Sequence, residues 1–71
     1  MLIRNMNEDR VINTEFCECI FIEKQDNNYT ITARIRGEDM IIAKFRTEEE
    51  AKKALELIFT ACGGGQPVFW I

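Results

Sequence analysis

Residues 29–36 alternate without a break: Tyr29, Ile31, Ala33 and Ile35 fall on one side, and Thr30, Thr32, Arg34 and Arg36 on the other. Successive side chains of an extended chain point to opposite faces, so this segment reads as a half-buried antiparallel strand. Ile20 and Ile22 before it, and Ile41, Ala43 and Phe45 after it, carry the same parity. The chain therefore needs a sheet, and something apolar to lie on the Ile31 face.

That cover is encoded downstream. Thr47-Glu48-Glu49-Glu50 is a capping box, in which the Thr47 hydroxyl takes the amide three residues on and Glu50 reaches back. The acids sit at the positive end of the helix dipole, and Glu48 with Lys52 and Glu49 with Lys53 are i,i+4 pairs in the favourable order. Ala51, Ala54, Leu55, Ile58 and Cys62 form one helical stripe, flanked by Phe59 and Ala61. Gly63 is the expected left-handed residue after the helix, and Gly64, Gly65 and Pro67 prevent its resumption.

Register follows from parity. A three-residue loop Gly37-Glu38-Asp39 sets Ile35 against Ile41, Ala33 against Ala43 and Ile31 against Phe45, whereas a two-residue loop Glu38-Asp39 sets Lys44 against Ala33. The first register is the expectation. The preceding turn is either Asp26-Asn27 or Asn27-Asn28, and both choices keep Ile20 and Ile22 on the Ile31 face. Leu2-Ile3-Arg4-Asn5 and Arg10-Val11-Ile12-Asn13 read as a further hairpin turned through Asn7-Glu8-Asp9, and Val68-Phe69-Trp70-Ile71 as a short terminal strand. The expected fold is α+β: an antiparallel sheet of about five to six short strands, one C-terminal amphipathic helix on one face, then a short strand, all in a single domain spanning 1–71.

This register leaves a second face carrying Cys17, Cys19, Phe21, Thr30, Thr32, Arg34, Arg36, Met40, Ile42 and Lys44. Cys19, Phe21, Met40 and Ile42 are too apolar together for a side turned to water. Either the N-terminal hairpin covers them with Ile3, Met6, Val11 or Ile12, or a second subunit does. Phe69, Trp70 and Ile71 pose the same alternative between an added strand and a hook for a partner, aromatic side chains being frequent interface anchors.

The residues speak against most chemistry. With no histidine and no serine there is no ordinary nucleophile and base pair, and Thr47 is committed to capping. Glu48, Glu49, Glu50 and Glu56 lie on an open helix surface rather than in a cleft, so the chain reads as no enzyme. Cys17, Cys19 and Cys62 fall short of the ligand set of a structural zinc site, and read as buried small hydrophobes. The glycines at 63–65 follow a helix, at its negative end, so they form no phosphate cradle. No metal and no cofactor is expected.

Composition sets the remaining bounds. A chain of 71 residues buries only roughly 60% of its unfolded surface, so stability is marginal without a staple or association. At 46% hydrophobic and 30% charged it belongs with folded domains. An odd number of cysteines and no export signal point to a reducing, cytoplasmic setting, and no segment reaches the ~20 apolar residues of a membrane helix, so no membrane partner is expected. A net charge of -3 disfavours general polyanion binding but leaves room for a local basic patch of Arg34, Arg36 and Lys44 beside Phe21.

The run from Phe45 through Arg46, Thr47, Glu48, Glu49, Glu50, Ala51, Lys52, Lys53 and Ala54 to Leu55, set between short strands and a brief apolar tail, resembles small proteins of Gram-positive bacteria and their prophages. Those proteins have no assigned activity, so the resemblance implies a layout and carries over no functional residue. The resulting expectation is a non-catalytic protein interaction or self-assembling domain, a homo-oligomer or a binder of another protein, with Cys19, Phe21, Met40, Ile42, Phe69, Trp70 and Ile71 as interface candidates. The alternative is single-stranded nucleic acid held on Arg34, Arg36 and Lys44.

Overall fold

The computed structural model describes residues 1–5 and 10–71, and the chain is α+β as expected. Its elements are β1 (Leu2–Asn5), β2 (Arg10–Asn13), a short 3-10 turn (Thr14–Phe16), β3 (Cys19–Gln25), β4 (Asn28–Ile35), β5 (Glu38–Phe45), α1 (Glu48–Gly63) and β6 (Val68–Trp70). The strands form two three-stranded sheets, ordered β2-β1-β6 and β3-β4-β5. β1 and β2 are the antiparallel hairpin expected from the sequence; its proposed turn at Asn7-Glu8-Asp9, like Met6, lies outside the described residues.

β6 lies parallel to β1, setting Leu2 against Val68, Ile3 against Phe69 and Arg4 against Trp70. The Leu2 amide donates to the Pro67 carbonyl at 2.8 Å and the Ile71 amide to the Arg4 carbonyl at 3.0 Å. Parallel neighbours need a long crossover. Here the crossover is the whole second sheet and α1, so this pairing closes the chain on itself.

The helix begins at its capping box. Thr47 Oγ1 accepts from the Glu50 amide at 3.2 Å, while Glu50 reaches back to the Thr47 hydroxyl, with Oε1 accepting at 3.0 Å, where the motif would use the Thr47 amide; Lys52 reaches Glu48 at 2.8 Å. Its end departs from the expectation. Gly63 is the last helical residue, Gly64 is still right-handed, and the left-handed position is Gly65, at φ 74°. The Gln66 amide donates to Ala61 and the Gly65 amide to Cys62, the paired bonds of a Schellman cap.

On the inward side of α1, Ala51, Ile58 and Ala61 are buried and Ala54 and Leu55 partly so. Cys62, assigned to the stripe by spacing, is exposed. The last turn leans on the sheet through Ala61, which leaves Cys62 at the rim of an open groove.

The β4–β5 hairpin corrects the expected register. Ile35 pairs with Glu38, so the loop is Arg36-Gly37, and both residues have positive φ, 53° and 77°, as a type I′ turn demands. The ladder continues through Arg34 with Asp39, Ala33 with Met40 and Thr32 with Ile41, then slips, so that Ile31 meets Ala43 and Tyr29 meets Phe45. Ile42 is the extra residue of a β-bulge. A uniform two-residue hairpin would turn Ala43 and Phe45 away from the helix; the bulge returns them to it. In the other hairpin Gln25 pairs with Asn28 across Asp26-Asn27, which resolves the two turns left open by the sequence.

The core forms between these layers from Ile3, Ile12, Ile31, Ala33, Ile42, Ala43 and Ile58. Its members from β4 and β5, the bulged Ile42 apart, belong to the Ile31 face, and Ile20 and Ile22 of β3 pack against them partly buried. Ile3 and Ile12 of the N-terminal hairpin reach the same core as Ile31 and Ile42. Asn5 ties the two sheets together by donating from Nδ2 to the Ile42 carbonyl, and Arg10 Nη1 donates to the Ile41 carbonyl at 3.2 Å. The bulge thus presents carbonyls to which the first sheet binds.

Candidate interaction surfaces

The corrected register changes the second face of the β3-β4-β5 sheet. Across it run Cys19, Phe21 and Glu23 from β3, Arg34, Thr32 and Thr30 from β4, and Asp39, Ile41 and Lys44 from β5. Met40 moves to the helix side, and Ile42, 2% exposed, sits in the core. Arg36 leaves the face for the turn. The face is therefore less apolar than the sequence implied, and its centre is a hydroxyl pair. Thr30 Oγ1 donates to the Glu23 carbonyl at 3.2 Å and lies 3.1 Å from Thr32 Oγ1, so the two buried threonines are both hydrogen-bonded.

Arg34 is the organising charge of this face. Its Nε lies 2.8 Å from Asp39 Oδ1, and its guanidinium stands 5.2 Å from the centre of the Phe21 ring. The hydrogen bond from Arg34 holds the Asp39 carboxyl below its ordinary range, and the same bond raises the Arg34 guanidinium. Of the three basic residues singled out for nucleic acid, one is thus already engaged; Lys44, opposite Thr30, shares its face, and Arg36 does not.

A groove of about 640 Å³ runs between α1 and the start of β3. Leu55, Phe59 and Cys62 line its helix wall, and Cys17, Cys19 and Ile20 the opposite one. All three cysteines therefore share one groove. The expectation that they are buried is corrected: Cys19 and Cys62 are exposed and Cys17 half-buried. Burial, with Cys19 close by, pushes the Cys17 thiol up. Among the described residues, no group of three or more histidine, cysteine, aspartate or glutamate side chains is placed to hold a metal ion.

A further exposed apolar array lies on the outward side of the β2-β1-β6 sheet. Strand parity sends Ile3, Ile12 and Phe69 inward and Leu2, Val11, Val68 and Trp70 outward. Leu2 is flanked by Val68, and Arg4 stands between Val11 and Trp70. Trp70 is 63% exposed. The terminal segment is thus both of the things weighed for it: a strand that closes the first sheet, with Phe69 and Ile71 packed against the core, and an exposed tryptophan.

Leu2 and Val68 are not marked by the sequence, and Val11, expected as a possible cover for the second face, turns outward instead. Each is an ordinary β residue in a strand of three or four residues, too short for alternation to mark a face. Leu57 of α1 goes unmarked for a different reason, and Phe59, expected only as a flank of the stripe, is exposed. They lie beside the apolar stripe, and only the position of the sheet decides which flank is covered.

Among the described residues, no helix is long and apolar enough to cross a membrane. Comparison with protein-family models, with curated proteins and with solved structures finds no match.

Proposed function

We propose that this chain is a non-catalytic interaction domain that works by self-assembly or by docking on another protein. The observation that carries the reading is the outward array of Leu2, Val11, Val68 and Trp70, which puts four exposed apolar side chains on one side of one small sheet. Contiguous apolar surface of this kind marks contact sites, whereas singly scattered hydrophobics do not. The titratable groups support the non-catalytic half of the reading. Lys52 lowers the Glu48 carboxyl and Arg34 lowers that of Asp39, both on open surface, the reverse of a carboxyl poised to donate a proton. A cytoplasmic setting and an origin in a mobile element remain part of the proposal, resting on the cysteine count and on residues 45–55.

Trp70 is the only tryptophan, so its fluorescence reports on this array alone. Self-assembly is expected to raise the mass seen by light scattering with concentration and, where the array takes part, to shift Trp70 emission to the blue. Trp70→Lys is expected to weaken contacts made there. A chain that stays monomeric into the millimolar range, with emission that never moves, refutes the self-assembling form.

The weaker reading is single-stranded nucleic acid on Arg34, Arg36 and Lys44. Arg34 over Phe21 favours it, while Asp39 offsets the charge. Arg34→Gln with Arg36→Gln should then weaken a salt-sensitive affinity, and no binding by the parent near ~50 mM salt removes the reading.

A further inference from the structure

Four strand edges are open to a neighbour in the two sheets, and they are not equivalent. β2 and β6 have only four and three residues. β5 is long, but Asn5 and Arg10 already sit on its Ile42 and Ile41 carbonyls. β3 has seven residues, pairs on one side with β4, and has no strand on the other among the described residues. Its middle, Ile20-Phe21-Ile22, carries no charge, proline or bulge of the kind that blunts an exposed edge.

We infer that β3 is the contact through which two copies of this chain join, edge to edge and antiparallel, about a two-fold axis at Phe21. The inference rests on the interaction reading above and names its surface and partner. Side-chain parity selects the register. A two-fold perpendicular to the sheet must place a residue opposite itself, which leaves Ile20, Phe21 and Ile22 as the central choices. Centred on Ile22, Lys24 would face Ile20 and Glu23 would face Phe21. Centred on Ile20, Glu18 would face Ile22. Centred on Phe21, the aromatic ring meets its copy, Ile20 meets Ile22 on the helix side, and Glu18 meets Lys24 at both ends. Of the three, this register alone sets all three central residues apolar on apolar and pairs opposite charges at the ends, with Cys19 facing Glu23 between them.

The rest of the surface is consistent with it. The two helices would stand on the same face of one continuous six-stranded sheet. The groove beside β3 would then open toward the second copy, with Phe59, 74% exposed in the single chain, on its wall. Glu18 accepts from the Gly37 amide of the β4–β5 turn through Oε1 at 2.9 Å, which leaves Oε2 for Lys24 of the second copy. The outward array around Trp70 stays free in such a dimer, so each pair would display it twice.

Charge exchange tests the register. Sedimentation equilibrium or light scattering would follow the dimer of the intact chain, of Glu18→Lys, of Lys24→Glu and of the double variant. Each single variant turns two attractive pairs per dimer into repulsive ones, an expected weakening of at least about fivefold. The double variant is expected to return to within about twofold of the parent, a rescue that a general loss of folding cannot imitate. Dimers indifferent to the single changes, or singles that the double fails to rescue, overturn the β3 contact. If instead Trp70→Lys disperses the assembly while the β3 variants do not, the β3 contact fails and the interaction reading stands. A parent chain that is monomeric at every concentration refutes the β3 contact together with the self-assembling form.

Discussion

One buried side-chain bond between the two sheets runs from Asn5, and Asn5→Ala removes it. Asn5 is 7% exposed and its Nδ2 donates to the carbonyl of Ile42, the bulged residue of β5, which is itself 2% exposed. Alanine removes the donor and opens space. A typical net hydrogen bond contributes about 1 kcal/mol, and a buried carbonyl left without its donor costs about 1–3 kcal/mol. Taking the lost bond and the stranded acceptor as one event, the expected destabilisation is about 2–3 kcal/mol. That is a large share of the ~5 kcal/mol available to a domain of this size. At about 4–8 °C per kcal/mol, the midpoint should fall by roughly 10–20 °C.

Urea unfolding followed by circular dichroism measures it, with Arg10→Ala as the matched control on the neighbouring carbonyl. Arg10 is exposed and its Ile41 acceptor lies at 3.2 Å, so its loss should cost under about 0.5 kcal/mol. Equal effects from the two substitutions, or a change below about 0.5 kcal/mol for Asn5→Ala, would refute the claim that the buried Asn5 bond anchors the bulge.

Three further outcomes follow from local geometry. Arg36 holds φ 53° in the β4–β5 turn, where a non-glycine side chain is strained, so Arg36→Asn, which creates the favoured Asn-Gly pair, should raise unfolding free energy by about 0.5–1 kcal/mol in the same urea assay. Thr47→Ala removes the acceptor for the Glu50 amide and should cost about 1 kcal/mol, read as a lower thermal midpoint. Burial and the neighbouring Cys19 raise the Cys17 thiol, so at a given pH it is less ionised than an ordinary thiol, and it is also the half-buried one of the three. Thiol titration near pH 8 should show Cys19 and Cys62 reacting first and Cys17 lagging, with the lag shrinking as pH rises.

Some of this molecule is local, and that part is readable in one dimension. The helix start at Thr47, the strands of the first hairpin and the common face of Ile20, Ile22, Ile31, Ala33 and Ile35 each depend on residues within a turn or a strand of one another. The cap, the alternation and the short turns act over a few residues, so no distant partner is needed to settle them. The β4–β5 register is different. Residues 40–43, Met40 to Ala43, are apolar at every position, so parity alone cannot say which of them face the helix. Tertiary structure decides, by spending one residue on a bulge whose Ile42 carbonyl is taken by Asn5, 37 positions away.

The same division holds for the candidate surfaces. Sequence alone marked Trp70 and Phe21, because large aromatic groups are conspicuous wherever they stand. It could not find the outward array, since Leu2, Val11, Val68 and Trp70 become neighbours only when β6 lies parallel to β1 across the whole intervening fold. Nor could it place three cysteines along one groove, because Cys62 meets Cys17 and Cys19 only through the packing of α1 on the sheet. Local propensity names the strands and the helix. Which faces they turn to solvent is settled by long-range pairing, where the free energy lies in contacts between residues far apart in the chain.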